Sequence, residues 1–96
     1  MQKAELITVL NRYKKSHQAK YGIKRLGLFG STARSTSTDR SDIDIVVELE
    51  KQDLYFIIGI KQDLEEQLGS KVDIISYRNK MNPYLKRRID QEAVYA

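Results

Sequence analysis

The chain has 96 residues, no cysteine and a formal net charge of +4. That length allows one modest core and one domain, and 41% hydrophobic with 31% charged residues is a globular rather than a disordered composition. Lack of cysteine excludes disulfides and thiolate metal sites. No apolar run approaches the ~20 residues that span a bilayer, and the first residues lack a signal peptide's apolar centre, so a cytoplasmic protein is expected.

Residues 3–20 are predicted helical, because Leu6, Val9, Leu10 and Tyr13 recur at helical spacing between charged positions. Gly22 suits the position just past a helix end. Residues 23–29 then read as a strand, with Leu26 and Leu28 on one face and Gly27 and Phe29 on the other. A glycine inside a strand marks a place where other atoms come close to the backbone.

Residues 30–41 are rich in Ser and Thr and carry no large apolar side chain. They are predicted to form a turn, a short helix near residues 32–35, or a surface loop. Residues 42–49 alternate cleanly. Ile43, Ile45, Val47 and Leu49 share one face, and Asp42, Asp44, Val46 and Glu48 the other. The apolar face should lie on helices, leaving the acidic face toward a cleft. Asp53 is placed to cap a helix over 54–68, with Leu54, Ile57, Ile58, Leu64 and Leu68 as its buried stripe and Gly69 as its end. Residues 71–76 read as a third strand with Asp73 opposite Val72 and Ile74. Asn82-Pro83 is a strong helix start, followed by a Leu85, Ile89, Ala93 stripe running to the end. The expectation is a single α+β domain over 1–96, a small mixed β-sheet flanked by helices in the order α-β-(α)-β-α-β-α.

The chemistry gathers in residues 30–48. Nucleotidyl transfer displaces pyrophosphate from an α-phosphorus by a hydroxyl, which suits two hard cations. Magnesium takes carboxylate, phosphate and water oxygens. Asp42 and Asp44 lie two apart on a strand, about 6.6 Å along it, so both project from one face. A third carboxylate is expected from a neighbouring strand, where Asp73 is placed for it. Gly30 lets backbone approach phosphate oxygens, Ser31 offers a hydroxyl, and the following amides add positive dipole. The turn is not a Walker A loop, since the closing Lys-Ser/Thr pair is missing. Nor are residues 39–44 a calcium loop, since its glycine and closing glutamate are absent.

Gly30-Ser31, ten residues, then Asp42-Ile43-Asp44 resembles the signature of the polymerase-beta-type nucleotidyltransferases, and the whole chain is most similar to their minimal, MNT-type antitoxin branch. Ala33-Arg34, Ser41, the strand at 72–74 and the ending Ile89 to Tyr95 also fit, while Ser35 stands where many relatives carry glycine. The resemblance implies that Asp42, Asp44 and Asp73 hold Mg2+, that Gly30 and Ser31 hold the triphosphate of ATP, and that Asp42 and Asp44 are catalytic. It also implies a partner, a HEPN-domain ribonuclease toxin, neutralised by binding, by adenylylation of a tyrosine, or by both. A single domain with nothing added to select a tRNA, an antibiotic or a primer is expected, which would agree with an acceptor on a protein partner in a complex.

Each feature also has a plainer explanation. A lone Gly-Ser turn is usually a turn and a lone Asp-x-Asp usually solvated surface; their placement at the end of one strand and the start of the next favours a nucleotide site. Arg34 suits a phosphate contact or a salt bridge that steadies its own loop. Glu48, about 13 Å from Asp44 along the strand, is left out. His17 reads as a surface residue. Lys86, Arg87 and Arg88 read as a solvated face, and the tyrosines as packing or a partner surface. Two other functions remain in view. One is an antitoxin that binds its partner with an idle nucleotide site. The other is a nucleic-acid binder, for which no module is recognisable and whose affinity would fall steeply with salt.

Overall fold

The computed structural model describes residues 2–34 and 42–96, with the Ser31 side chain outside the description. Ser35 and Ser41, with the residues between them, therefore lie outside the described residues. The elements are α1 Lys3–Tyr21, β1 Ile23–Leu28, α2 Gly30–Ala33, β2 Ile43–Leu49, α3 Leu54–Leu68, β3 Val72–Ser76, α4 Pro83–Glu92 and β4 Val94–Tyr95. Four strands form one sheet in the order β3-β2-β1-β4. β2 and β3 run parallel, and β1 is antiparallel to both β2 and β4. The α+β architecture is the one expected.

The helix ends follow local chemistry. The Asp53 carboxylate accepts the N–H groups of Tyr55 and Phe56 at the start of α3, and the Asn82 side chain accepts those of Tyr84 and Leu85 at the start of α4. Both satisfy amides that have no carbonyl partner inside the helix. Gly22 and Gly69 close α1 and α3 as their sequence positions indicate.

The alternation of β1 and β2 is realised as two unequal faces. Leu26, Leu28, Ile45, Val47 and Leu49 pack under α1 and α3, against Leu6, Leu10, Tyr13, Ile60, Leu64 and Leu68. On the other face Phe29 and Val46 are buried with Tyr77 and with Ile89 of α4. On the face carrying Asp44, α4 covers the middle through the contact of Ile89 with Val46. At the far end Arg25 lies between the rings of Tyr77 and Tyr95, 4.9 and 4.6 Å from their centres, and donates to Glu48 Oε1 at 2.8 Å. Glu48 is engaged in this clamp, away from the site.

Two expectations are corrected. Leu54 and Ile58 are 71% and 43% exposed, because the buried stripe of α3 runs through Ile57, Ile60, Leu64 and Leu68 and the other two fall to one side of it at 100° per residue. The final helix also does not run to the end of the chain. It stops at Glu92, Ala93 turns extended, and Val94 and Tyr95 pair with Leu28 and Gly27 of β1. The close approach anticipated at Gly27 is this one: a Cβ there would lie 2.5 Å from the Val94 carbonyl oxygen and 2.8 Å from Tyr95 Cα.

α1 is held to α3 by a hydrogen bond from the buried Tyr13 hydroxyl to Asp63 Oδ2 at 2.7 Å. Burial, and then the Asp63 bond and charge, raise the Tyr13 hydroxyl above the ordinary value of 10.0. The folded state keeps the proton longer than the unfolded one. Its contribution to stability is therefore complete below that ordinary value and is lost as pH rises past it. Urea unfolding from about pH 8 to about pH 11 should show a steeper loss of stability in the wild type than in Tyr13→Phe. Parallel curves would contradict this.

Candidate functional site

Three chain segments meet at one end of the sheet: the end of β1 with the turn into α2, the start of β2, and the start of β3. Antiparallel pairing of β1 and β2 brings the Gly30 turn beside residues 42–44. Parallel pairing of β2 and β3 sets Asp44 directly opposite Asp73. The start of β3 is held by the Ile43 N–H on the Lys71 carbonyl and by the Val72 N–H on Glu65 Oε2, both 3.0 Å. Directly opposed residues of one sheet project to the same side, about 5 Å apart. The Asp44 and Asp73 side chains therefore leave the sheet together. Asp42 is exposed one residue before β2.

The turn is fitted to Asp44. The Phe29 N–H bonds to the Asp44 carbonyl at 3.0 Å, one residue past the end of β1. Gly30 then takes φ +63, a left-handed conformation open to glycine at little cost. A Cβ at Gly30 would lie 3.0 Å from Asp44 Oδ2. The space a larger residue would fill is taken by the carboxylate, so the turn and the acid form one wall. The backbone of Ser31 belongs to α2. Behind the turn the buried Thr32 accepts the Asp44 N–H on its Oγ1 at 3.0 Å.

Arg34, at the end of α2, donates to Glu92 Oε1 at 3.0 Å. Glu92 Oε2 takes Arg88 Nε at 3.3 Å, with Arg88 Nη2 at 3.2 Å. Of the two roles considered for Arg34, the structure displays the salt bridge, and the bridge holds its guanidinium beside the turn. Arg88 also lies over the Phe29 ring, 5.9 Å from its centre. Sequence reasoning missed two residues here. Thr32 is one hydroxyl in a stretch full of them, and Glu92 lies on a helix whose packing against the turn no local pattern displays.

Among the described residues, no three Asp, Glu, His or Cys side chains are gathered into a ready-made metal cage. The donor chemistry nevertheless suits magnesium: the acids are carboxylates only, with Asp44 and Asp73 in register. This ion is usually held by one or two carboxylates together with substrate phosphates and water.

Comparison with known proteins follows the same lines. Residues 10–96 match the family described as nucleotidyltransferase domain. A Methanocaldococcus jannaschii protein, named as a candidate protein adenylyltransferase, is 37% identical, over 96% of this chain and 95% of its own length. A solved structure described as a candidate minimal nucleotidyltransferase superposes with a TM-score of 0.80 at 33% identity, covering 98% of this chain and 95% of that one. Another, described as a toxin-antitoxin with AMP-PNP, gives a TM-score of 0.73 at 25% identity over 88% of this chain and 69% of that one.

Proposed function

The chain belongs to the nucleotidyltransferase domain family, and we propose that it transfers AMP from ATP, in the presence of Mg2+, to a tyrosine of a HEPN-type toxin, acting as the antitoxin of the pair. The observation that carries this function is the register of the sheet. It opposes Asp44 to Asp73 beside a glycine turn that leaves no room for a side chain against the Asp44 carboxylate. The likeness to a candidate protein adenylyltransferase and to a toxin-antitoxin structure with AMP-PNP supports the protein acceptor and the adenine nucleotide.

Asp42, Asp44 and Asp73 would hold the magnesium. Bound there, the ion supplies charge neutralisation of the triphosphate and a lowered pKa for the attacking hydroxyl. The remaining work falls to the chain. Gly30 admits the triphosphate close to the backbone, and Ser31 and the backbone following it orient its oxygens. Arg34, kept beside the turn by Glu92, adds positive charge where the leaving pyrophosphate gathers negative charge. The acceptor hydroxyl comes from the partner and is presented beside Asp42 and Asp44.

The test uses the chain, magnesium, the cognate toxin and ATP labelled in either the α- or the γ-phosphate. Label from the α-phosphate should appear on a toxin tyrosine and label from the γ-phosphate should not. A second function, neutralisation by binding alone, draws on Leu54, Tyr55 and Ile58. They are exposed at the start of α3, which follows the end of β2 farthest from Asp44. If Asp42→Asn protects cells from the toxin as well as the wild type and no label is transferred, binding alone suffices.

A further inference from the structure

The sheet lacks one ladder bond at the residue on which the site depends. In an antiparallel pair, directly opposed hydrogen-bonded residues exchange two bonds. Phe29 gives its N–H to the Asp44 carbonyl at 3.0 Å, but its own carbonyl has turned into α2, where it takes the Ala33 N–H at 3.5 Å. The Asp44 N–H meets Thr32 Oγ1 instead, at 3.0 Å. Tyrosines aside, Thr32 is the polar side chain buried among the described residues, 3% exposed.

We propose that Thr32 is a positioning residue for the Asp44 carboxylate, its hydroxyl replacing the carbonyl that the ladder loses where β1 turns into α2. Its effect on catalysis rests on the nucleotidyl-transfer function; its effect on the backbone does not. The geometry leaves little tolerance. Asp44 Oδ2 sits 3.0 Å from where a Gly30 Cβ would be, so a small slide of β2 drives the carboxylate into the turn or away from it. Phe29 N–H and Thr32 Oγ1 grip Asp44 at its carbonyl and its amide, from the two sides of that turn. The phosphate turn and the carboxylate thereby move as one body. Thr32→Val keeps the shape and removes the acceptor, leaving a backbone N–H without a partner. Thr32→Ser keeps the hydroxyl and loses a methyl. Thr32→Cys keeps a similar shape with a weaker acceptor.

Two readouts apply. Amide exchange followed by NMR should show Asp44 exchanging about 100-fold faster in Thr32→Val, with Val47 in the middle of β2 unchanged and protection restored in Thr32→Ser. Transfer of AMP to the toxin should lose about 100-fold in kcat in Thr32→Val, as expected for misplacement on the ångström scale, with KM for ATP within about threefold and recovery in Thr32→Ser. Thr32→Cys should fall between the two, and it takes the place of Thr32→Val should that variant not fold. Equal Asp44 exchange in the wild type and in the variant lacking the hydroxyl overturns the proposal, as does a kcat loss equal in Thr32→Ser and Thr32→Val. If even the wild type transfers no AMP, the exchange result alone decides on Thr32, and it is the transfer function that has failed.

Discussion

Asp44→Asn is expected to abolish AMP transfer, lowering kcat by about 10³-fold or more, while leaving the melting temperature within a few degrees of wild type. The two effects separate because Asp44 does two jobs with different atoms. Its backbone N–H and C=O hold Thr32 and Phe29, and asparagine keeps both. In the proposed function its side chain would supply the negative charge that a hard cation requires, and asparagine removes that charge without changing shape. Several kcal/mol of metal-based stabilisation corresponds to a rate loss of about 10³. Steady-state transfer of labelled AMP, paired with a thermal melt, checks both halves. A variant that still transfers at more than a tenth of the wild-type rate would place the metal elsewhere.

Gly27→Ala is expected to damage the fold without touching the site's carboxylates. The new methyl would meet the Val94 carbonyl oxygen at 2.5 Å and Tyr95 Cα at 2.8 Å. Both are backbone atoms, which no rotamer change can move. β4 must shift or detach, weakening its pairing with β1, the Ala96 N–H bond to Leu26 at 2.8 Å and the Tyr95 wall of the Arg25 clamp. Overpacking of this kind costs about 1–3 kcal/mol, a fall in melting temperature of roughly 5–20 °C for a domain this small. Gly59→Ala is the control. There the added methyl meets the tip of Tyr21, whose hydroxyl lies 2.9 Å away, and a side-chain end can give. Alanine also gains helix propensity of up to about 1 kcal/mol. A melt of the two variants should separate them clearly, and equal melting temperatures would contradict the packing derived for β4.

Much of this was legible in the sequence because it depends on short-range chemistry. The alternation from Asp42 to Leu49 announces a strand with one largely acidic face. Asp53 and Asn82-Pro83 announce helix starts, since an unpaired amide needs an acceptor wherever the helix lies. Gly27 announced a close approach, though not what approached. The remainder depends on contacts between distant segments. Val46, the one apolar residue on the acidic face, was the available hint that α4 covers that face. A two-residue strand such as Val94–Tyr95 has no periodicity to read. Leu54 and Ile58 fit a helical stripe as well as their neighbours do, and only the seating of α3 decides which side faces the core. For the proposed site, Gly30, Asp42 and Asp44 stood out because the proposed chemistry calls for those residue types at that spacing, and Asp73 as the acid on a neighbouring strand. Thr32 and Glu92 were not, since any Ser, Thr or Glu at the right place would serve.

The central claim is that this chain places AMP on a tyrosine of its partner, and the intact mass of that partner tests it most directly. The toxin is incubated with the chain, ATP and magnesium, then weighed by mass spectrometry and mapped by peptide fragmentation. The expected result is a mass increase of one or more AMP units on tyrosine, absent with Asp44→Asn. An unchanged toxin mass in a mixture where the toxin has nevertheless lost its activity would contradict the claim and leave neutralisation by binding in its place.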